Sequence, residues 1–157
     1  MQRVILNWHG PIDLQVFDVA RASLVSLDVP PPKSPVVYLW CIRIVRRGEN
    51  RWAVLYVGST QEFRTRMREH RNNLVGRQYA LFDPEDTVRG EINIRFSPPD
   101  EWDTGLEKVA RENLTLIKVF WAEVEDLLRK EVEGALRTRI WRKQETRAYH
   151  YGLYTTS

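Results

Sequence analysis

The fold is decided by residues 36–74, which read VVYLWCIRIVRRGENRWAVLYVGSTQEFRTRMREHRNNL. β-Branched and aromatic residues fill Val36 to Val45 and again Trp52 to Val57, which is typical of strands. Between them, Arg46 to Arg51 is polar and contains a glycine and an asparagine, residues that favour turns. The stretch therefore predicts a β-hairpin.

A helix is predicted directly after the second strand. Gly58 ends that strand, and Ser59 with Glu62 three residues later has the spacing of a capping box, which opens helices. Apolar residues then recur at helical spacing and form a core-facing stripe of Phe63, Met67 and Leu74. The sequence thus predicts a hairpin that leads straight into an amphipathic helix.

Four side chains of this segment could form a chemical cluster. Tyr38 and Tyr56 stand on the two paired strands, while Arg66 and His70 are four residues apart on one face of the helix. A phenol, a guanidinium and an imidazole in one place could act on a charged substrate, although a carboxylate is still missing. The alternative is structural, because strand tyrosines commonly pack in cores and helical Arg and His commonly face water.

The remaining segments predict an α/β fold, a small antiparallel sheet flanked by helices. Its other elements are a strand at Val4 to Trp8, a helix at Ile12 to Ala22, a stiff proline-rich connector at Asp28 to Pro35, a strand at Val88 to Phe96, a helix at Leu106 to Asn113, a strand at Leu114 to Val124 and a helix from Asp126 to Arg142. We expect one domain over residues 1–157, comprising an N-terminal extension (1–35), the hairpin and helix (36–74), an insertion (75–113) and a C-terminal part (114–157).

The composition favours a soluble cytoplasmic protein. Charged residues make up 29% of the chain, and no apolar run approaches the roughly 20 residues of a membrane helix. The lone Cys41 excludes an internal disulfide and a cysteine zinc site, which suits a reducing compartment. No membrane partner is therefore expected.

Basic residues are unevenly distributed along the chain. Between Cys41 and Ala80 nine arginines stand against three glutamates, and a second basic stretch lies near the C-terminus, while Asp83 to Glu112 is mostly acidic. Two basic zones that meet in space would suit a nucleic acid, because Lys and Arg neutralise phosphates. The alternative is that the arginine-rich helices are solvated faces.

At the hairpin and helix, the chain resembles the GIY-YIG nuclease family. The family's Gly-Ile-Tyr motif stands here as Val36-Val37-Tyr38, and its Tyr-Val-Gly motif stands as Tyr56-Val57-Gly58. The arginine of the family falls on Arg66, and the histidine of some members falls on His70, one turn later. The first motif lacks its glycine here.

The family also places a glutamate on a later helix, three residues before a large apolar residue. Glu133 with Leu136 fits this spacing, and Glu131 is the competitor. Helical periodicity does not choose between the two glutamates. An asparagine that usually follows the glutamate helix is missing, because no asparagine occurs after Asn113.

The resemblance implies a mechanism for cutting DNA. Glu133 would bind a divalent metal, Mg or Mn, and Arg66 would grip a phosphate oxygen. Tyr38 would position or deprotonate the attacking water, helped by His70, Tyr56 or the metal. Candidate contacts to backbone phosphates are Arg64, Arg68, Arg71, Lys130, Arg137 and Arg139.

The expected function is therefore metal-dependent hydrolysis of DNA phosphodiester bonds. One alternative is a catalytically inactive module of the same fold that only binds nucleic acid. Another is a protein-binding scaffold that uses the acidic region Asp83 to Glu112. Restriction, repair, homing and toxin roles all stay open, as does association into a homo-oligomer or with a specificity partner.

Overall fold

The structure is a computed structural model that describes residues 3–14, 34–46, 48–75, 81–82, 94–95 and 104–143. Its elements are β1 (His9–Asp13), β2 (Val36–Arg46), β3 (Glu49–Thr60), α1 (Phe63–Val75), β4 (Leu81–Phe82), β5 (Ile94–Arg95), α2 (Thr104–Leu116), β6 (Lys118–Glu123), a 3-10 turn (Asp126–Leu128) and α3 (Arg129–Lys143). Among the helices in these ranges, none combines the length and apolar character that a membrane crossing needs.

The main sheet is antiparallel and has four strands in the order β1-β6-β2-β3. β3 is therefore an edge strand, and β2 lies inside the sheet. Tyr38 pairs with Gly58 on one side and with Trp121 on the other. A separate two-stranded sheet joins β4 to β5. The predicted antiparallel sheet with flanking helices is confirmed.

The two faces of the sheet are covered by different helices. Tyr38, Trp40 and Trp121 point to one face and join a core that includes Met67 of α1 and Leu114 of α2. The other face carries a smaller cluster in which α3 takes part, formed by Val37, Ala122, Val124 and Val132. α1 and α3 consequently lie on opposite sides of β2 and β3.

The hairpin turn is shorter than predicted. Arg46 pairs directly with Glu49, so that two residues close the loop and most of the predicted turn belongs to the strands. Gly48 has a φ of 77°, a left-handed conformation that glycine adopts without strain. Tight turns of this kind match the twist of the strands, which explains why pairing continues to the tip.

The predicted capping box at Ser59 and Glu62 is wrong. β3 continues through Thr60, and the backbone N–H of Arg66 donates to the carbonyl of Glu62 at 3.0 Å to start the helix. The Thr60 hydroxyl, rather than that of Ser59, accepts from the Glu62 backbone N–H at 3.1 Å. Ser59 is left on the edge strand, where its side chain has a different partner, described below.

The N-terminal predictions also need correction. Residues 4–8 form no strand, and β1 spans His9–Asp13, where the start of a helix was predicted. Pairing with β6 decides this, because Ile12 becomes buried and Asp13 forms an ion pair with Lys118. Pro11 is tolerated because β1 is an edge strand. The rest of the predicted helix and most of the proline connector lie outside the described residues.

Later boundaries shift as well. Residues 114–116, predicted as strand, extend α2, and β6 begins at Lys118. The predicted final helix is split into a 3-10 turn from Asp126 and an α-helix from Arg129. Of the predicted strand at 88–96, residues 94 and 95 are described as strand and the others lie outside the described residues.

Candidate active site

A cleft of about 540 Å³ opens where edge strand β3 meets the first turns of α1 and α3. Its lining comes from three parts of the chain and includes four basic and three acidic side chains. These residues are Tyr56, Ser59, Thr60, Gln61, Glu62, Thr65, Arg66, Glu69, Arg129, Lys130, Glu133 and Arg137. Charged groups from both faces of the sheet therefore meet at one edge.

A buried tyrosine and histidine lie behind the cleft. The hydroxyl of Tyr38 is 2.7 Å from Nε2 of His70, and the two residues are 1% and 0% exposed. Burial, together with the charge of Arg66, lowers the pKa of His70 to about 3. The imidazole is therefore neutral near pH 7, and a neutral ring has one nitrogen that can accept the hydroxyl proton.

Tyr38 is held in its protonated form by its surroundings. Burial raises the pKa of this phenol well above its usual value, and the neighbouring Tyr56 raises it further, while Arg66 counteracts both. Charged forms are disfavoured in a desolvated site unless a compensating charge lies close by. Tyr38 is thus suited to donating a hydrogen bond rather than to removing a proton.

Tyr56 and Arg66 connect the buried Tyr38 and His70 to the surface of the cleft. The Tyr56 ring centre is 5.9 Å from that of Tyr38, and Tyr56 is half-buried. Burial lowers the pKa of Arg66, but bonding to Glu69 at 2.9 Å and the phenols of Tyr38 and Tyr56 outweigh it and raise the pKa. Arg66 therefore keeps its charge while its side chain is only 21% exposed.

Gly58 makes the stacking of the two tyrosines possible. A Cβ at this position would stand 2.5 Å from the Tyr38 hydroxyl oxygen and 2.6 Å from Cε1 of Tyr56. Real side chains do not approach so closely, so any larger residue must displace a ring. The glycine of the Tyr-Val-Gly sequence is therefore explained by packing against the Tyr38 ring, which lies directly across the strand pair.

Glu133 projects from α3 into the same cleft and is 12% exposed. Ser59 donates to its Oε2 at 3.2 Å, and Arg137 donates to its Oε1 at 3.3 Å. Lys130 lies 3.6 Å from Oε2. Each carboxylate oxygen therefore accepts one hydrogen bond, and a second positive charge lies near Oε2.

Glu131 faces a different part of the molecule. It lines a second cleft of about 360 Å³, together with Arg3, Val132 and Arg139. Two residues correspond to about 200° around a helix, so the two glutamates point in nearly opposite directions. Glu133 therefore lines the cleft that contains Arg66, and Glu131 does not.

No protein-family model, curated protein or solved structure matches this chain significantly. Of the residues predicted to be catalytic, Tyr56, Arg66 and Glu133 line the cleft, whereas Tyr38 and His70 are buried behind it.

The predicted phosphate contacts are divided among different surfaces. Lys130 and Arg137 line the cleft, although Arg137 also donates to the carbonyl of Val57 at 3.1 Å. Arg64 and Arg68 are exposed on α1, outside the cleft lining, and Arg71 donates to Asn72 at 3.0 Å. Arg139 lines the second cleft, so it does not join this group.

The sequence interpretation missed several polar residues of the site. Ser59 was predicted to cap α1, and Asp126 was predicted only to begin the last helix, but Asp126 accepts from Arg129 at 3.0 Å and from Gln61 at 2.8 Å. Arg129 is one helical turn before Glu133, which is a sequence signal for a shared face. The contacts of Ser59 and Gln61 join segments more than 60 residues apart. Such contacts produce no pattern in the neighbouring sequence.

The cleft is suited to a hard cation that keeps several waters, and not to a metal ion that protein side chains enclose completely. Within the described ranges there is no group of three or more His, Cys, Asp and Glu side chains that could hold a metal ion. The carboxylates of the cleft are those of Glu62, Glu69 and Glu133, and Glu69 is bonded to Arg66. Mg²⁺ is often held by one or two carboxylates while it keeps several waters. The donor set therefore fits Mg²⁺ or Mn²⁺ with water and phosphate as further ligands.

Proposed function

We propose that this protein is a metal-dependent endonuclease that hydrolyses DNA phosphodiester bonds. The observation that carries the proposal is that Arg66, Tyr56 and Glu133 line one cleft although they come from a helix, an edge strand and a distant second helix. A permanent cation can stabilise the charge of the phosphate, a carboxylate can hold a metal ion, and a phenol can position a water, which together suit phosphodiester hydrolysis.

Arg66 is the phosphate-binding group in this proposal. It remains charged, its guanidinium is partly enclosed, and its forked donors match the non-bridging oxygens of a phosphate. Partial burial matters because the attraction between charges is stronger where water is excluded. Its contact with Glu69 is exposed on the glutamate side, so a phosphate can replace that partner.

Glu133 holds the cation in this proposal. The bound cation would supply positive charge that stabilises the phosphate and the leaving oxygen. An ionised carboxylate has about four acceptor positions, and the two hydrogen bonds from Ser59 and Arg137 use one on each oxygen. Each oxygen consequently keeps an acceptor position for a further ligand.

The attacking water would be positioned by Tyr56 rather than by Tyr38. Tyr56 reaches the cleft, whereas Tyr38 is buried and its pKa is raised. Tyr38 and neutral His70 act behind it by fixing the positions of the Tyr56 ring and of Arg66. The resemblance implies that Tyr38 positions or deprotonates the water, but burial keeps Tyr38 away from the cleft.

The test is a plasmid-cleavage assay with Mn²⁺, with Mg²⁺ and with a chelator. We expect nicked and linear products with either ion and none with the chelator. Arg66→Ala and Glu133→Gln should each abolish the products, whereas Thr138→Ala, an exposed change on α3 outside the cleft, should cut normally. Metal-dependent products that persist in both site variants would reject the proposal.

A nucleic-acid-binding module without activity is the second candidate. It is favoured by the pairing of Glu133 with Arg137 and Lys130, which occupies part of the carboxylate. Such a module would bind DNA in a salt-sensitive way and show no cutting with either ion. The remaining alternative is a protein-binding scaffold that uses residues 83–112. Most of these residues lie outside the described residues, and none of them is in the lining of the cleft.

A further inference from the structure

We infer that Ser59 and Arg129 are positioning residues that fix the Glu133 carboxylate for its cation. This inference rests on the metal-binding role of Glu133 in the proposed function. Arg129 is not a motif position of the resemblance described above, and Ser59, which follows the Tyr-Val-Gly motif directly, has the sequence context of a helix cap. Its place on edge strand β3 brings its hydroxyl to α3 instead.

The direction of the Ser59 hydrogen bond is determined by Arg129. Nη1 of Arg129 lies 3.2 Å from Oγ of Ser59, and Oγ lies 3.2 Å from Oε2 of Glu133. A guanidinium can only donate, so the serine oxygen accepts from Arg129 and its single proton is left for the carboxylate. The positive charge of Arg129 therefore polarises the series of hydrogen bonds that runs through Ser59 to Glu133.

Arg129 is itself fixed through Asp126. Its Nε donates to Asp126 at 3.0 Å, and the other carboxylate oxygen of Asp126 accepts from Gln61 at 2.8 Å. Hydrogen bonds from both partners lower the pKa of Asp126 and keep it ionised. Gln61 lies between β3 and α1, so the chain connects the start of α3 to the segment that leads to Arg66.

Glu133 is thus held from two sides. Ser59 binds Oε2 from the edge strand, while Arg137 binds Oε1 and also the Val57 carbonyl of the same strand. These contacts restrict rotation of the carboxylate before any ion binds. Hydrogen bonds that orient a ligand of this kind typically contribute about 10- to 100-fold to metal affinity.

The test measures Mn²⁺ binding directly, by the electron paramagnetic resonance signal of free Mn²⁺, and DNA cleavage in parallel. We expect Ser59→Ala to weaken binding about tenfold or more, Ser59→Thr to restore most of it because the hydroxyl returns, and Glu133→Gln to lose it. Thr138→Ala is the matched control. Thermal unfolding of each variant reports on the fold.

Arg129→Met provides a second, independent variant. It leaves the serine hydroxyl in place but frees its proton to rotate, so we expect a weaker Mn²⁺ affinity than the wild type and a smaller loss than for Ser59→Ala. If Ser59→Ala fails to fold, this variant and Ser59→Thr still decide the question.

The outcomes separate the two proposals. Mn²⁺ binding that depends on Glu133 but is unchanged in Ser59→Ala and Arg129→Met would overturn the positioning role, whatever happens to cleavage. A wild type that binds no Mn²⁺ would overturn it too. Mn²⁺ binding that needs Glu133 and Ser59, without cutting of DNA, would support positioning and reject the nuclease proposal.

Discussion

The Tyr38 hydroxyl lies 2.7 Å from Nε2 of His70, in a part of the core where neither residue is more than 1% exposed. This bond joins strand β2 to helix α1. It also places Arg66, one turn before His70, against the same phenol. The buried pair therefore supports Tyr56 and Arg66, which line the cleft, although Tyr38 and His70 are not in its lining.

Tyr38→Phe should reduce turnover far more than DNA affinity. The ring still packs, but His70 loses the hydroxyl, and a lost hydrogen bond at a buried group costs about 1–3 kcal/mol. Unfolding in urea should show a loss of that order. DNA affinity and single-turnover cleavage should be measured on the same preparation; equal losses in both would show that Tyr38 supports DNA binding, through the groups it holds in the cleft, as much as turnover.

Stability should fall in mild acid because of His70. Its folded-state pKa is about 3, below the ordinary value of 6.5, so between these values the unfolded chain binds a proton that the folded chain does not. The stabilising effect of the neutral ring is complete above pH 6.5 and is lost as the pH falls toward 3, at up to about 1.4 kcal/mol per pH unit. Urea unfolding between pH 7 and pH 4 measures this slope.

His70→Gln is the control for that measurement. Glutamine can still accept from Tyr38 but does not titrate, so the variant should show a smaller decrease in stability with acid than the wild type. Parallel slopes for the two proteins would assign the acid sensitivity to other groups.

Two glycine substitutions should have opposite effects on stability. In Gly58→Ala the added methyl group meets Tyr38 and Tyr56, and overpacking of this kind costs about 1–3 kcal/mol. In Gly134→Ala the methyl group meets no described atom within 4 Å, and alanine stabilises a helix interior by about 0.5–1 kcal/mol. The free energy of unfolding from urea titration compares them; a tolerated Gly58→Ala would contradict the packing explanation.

Local sequence patterns were sufficient for the hairpin and for α1. The two strands pair as predicted, and the stripe of Phe63, Met67 and Leu74 becomes buried as predicted. These elements follow from contacts close in sequence, where strand and helix periods are readable. The same periods placed Arg66 and His70 on one helix face.

The other features of the fold and of the site depend on contacts between residues that are far apart in the sequence, so no local pattern indicates them. β1 is a strand because β6 lies beside it, although its own sequence favoured a helix start. Ser59 is a cleft residue because α3 packs against the edge strand, 74 residues further along the chain. Helical spacing separated Glu131 from Glu133 without choosing between them. The spacing of the family motif favoured Glu133, which lines the cleft with Arg66 in the structure.

Arg66→Ala should abolish cleavage and leave the fold intact. The side chain lies at the edge of the core, and groups that stabilise charge in a transition state are typically worth about 10² to 10³ in rate. Arg66→Lys should recover little, because an ammonium lacks the forked donors. Cleavage rates at saturating DNA test this, with thermal unfolding as the check on folding; an active Arg66→Ala would remove the arginine from the mechanism.

Glu133→Gln and Glu131→Gln should behave differently in the same assay. Glu133 lies in the cleft, where Ser59 and Arg137 hold it, whereas Glu131 lines the second cleft. Glu133→Gln removes the charge that binds the cation and should end metal-dependent cutting. DNA binding should be preserved or strengthened, because a negative charge near the phosphates is gone.

Glu131→Gln is the matched control, since it makes the same change two residues away on the same helix. It should cut at the wild-type rate, as expected for an exposed glutamate outside the cleft. Both variants should be measured side by side in Mn²⁺, with DNA affinity determined at two salt concentrations. Loss of cutting in Glu131→Gln alone would move the reaction to the other side of α3, and cutting by both variants would leave the nuclease proposal without its metal ligand.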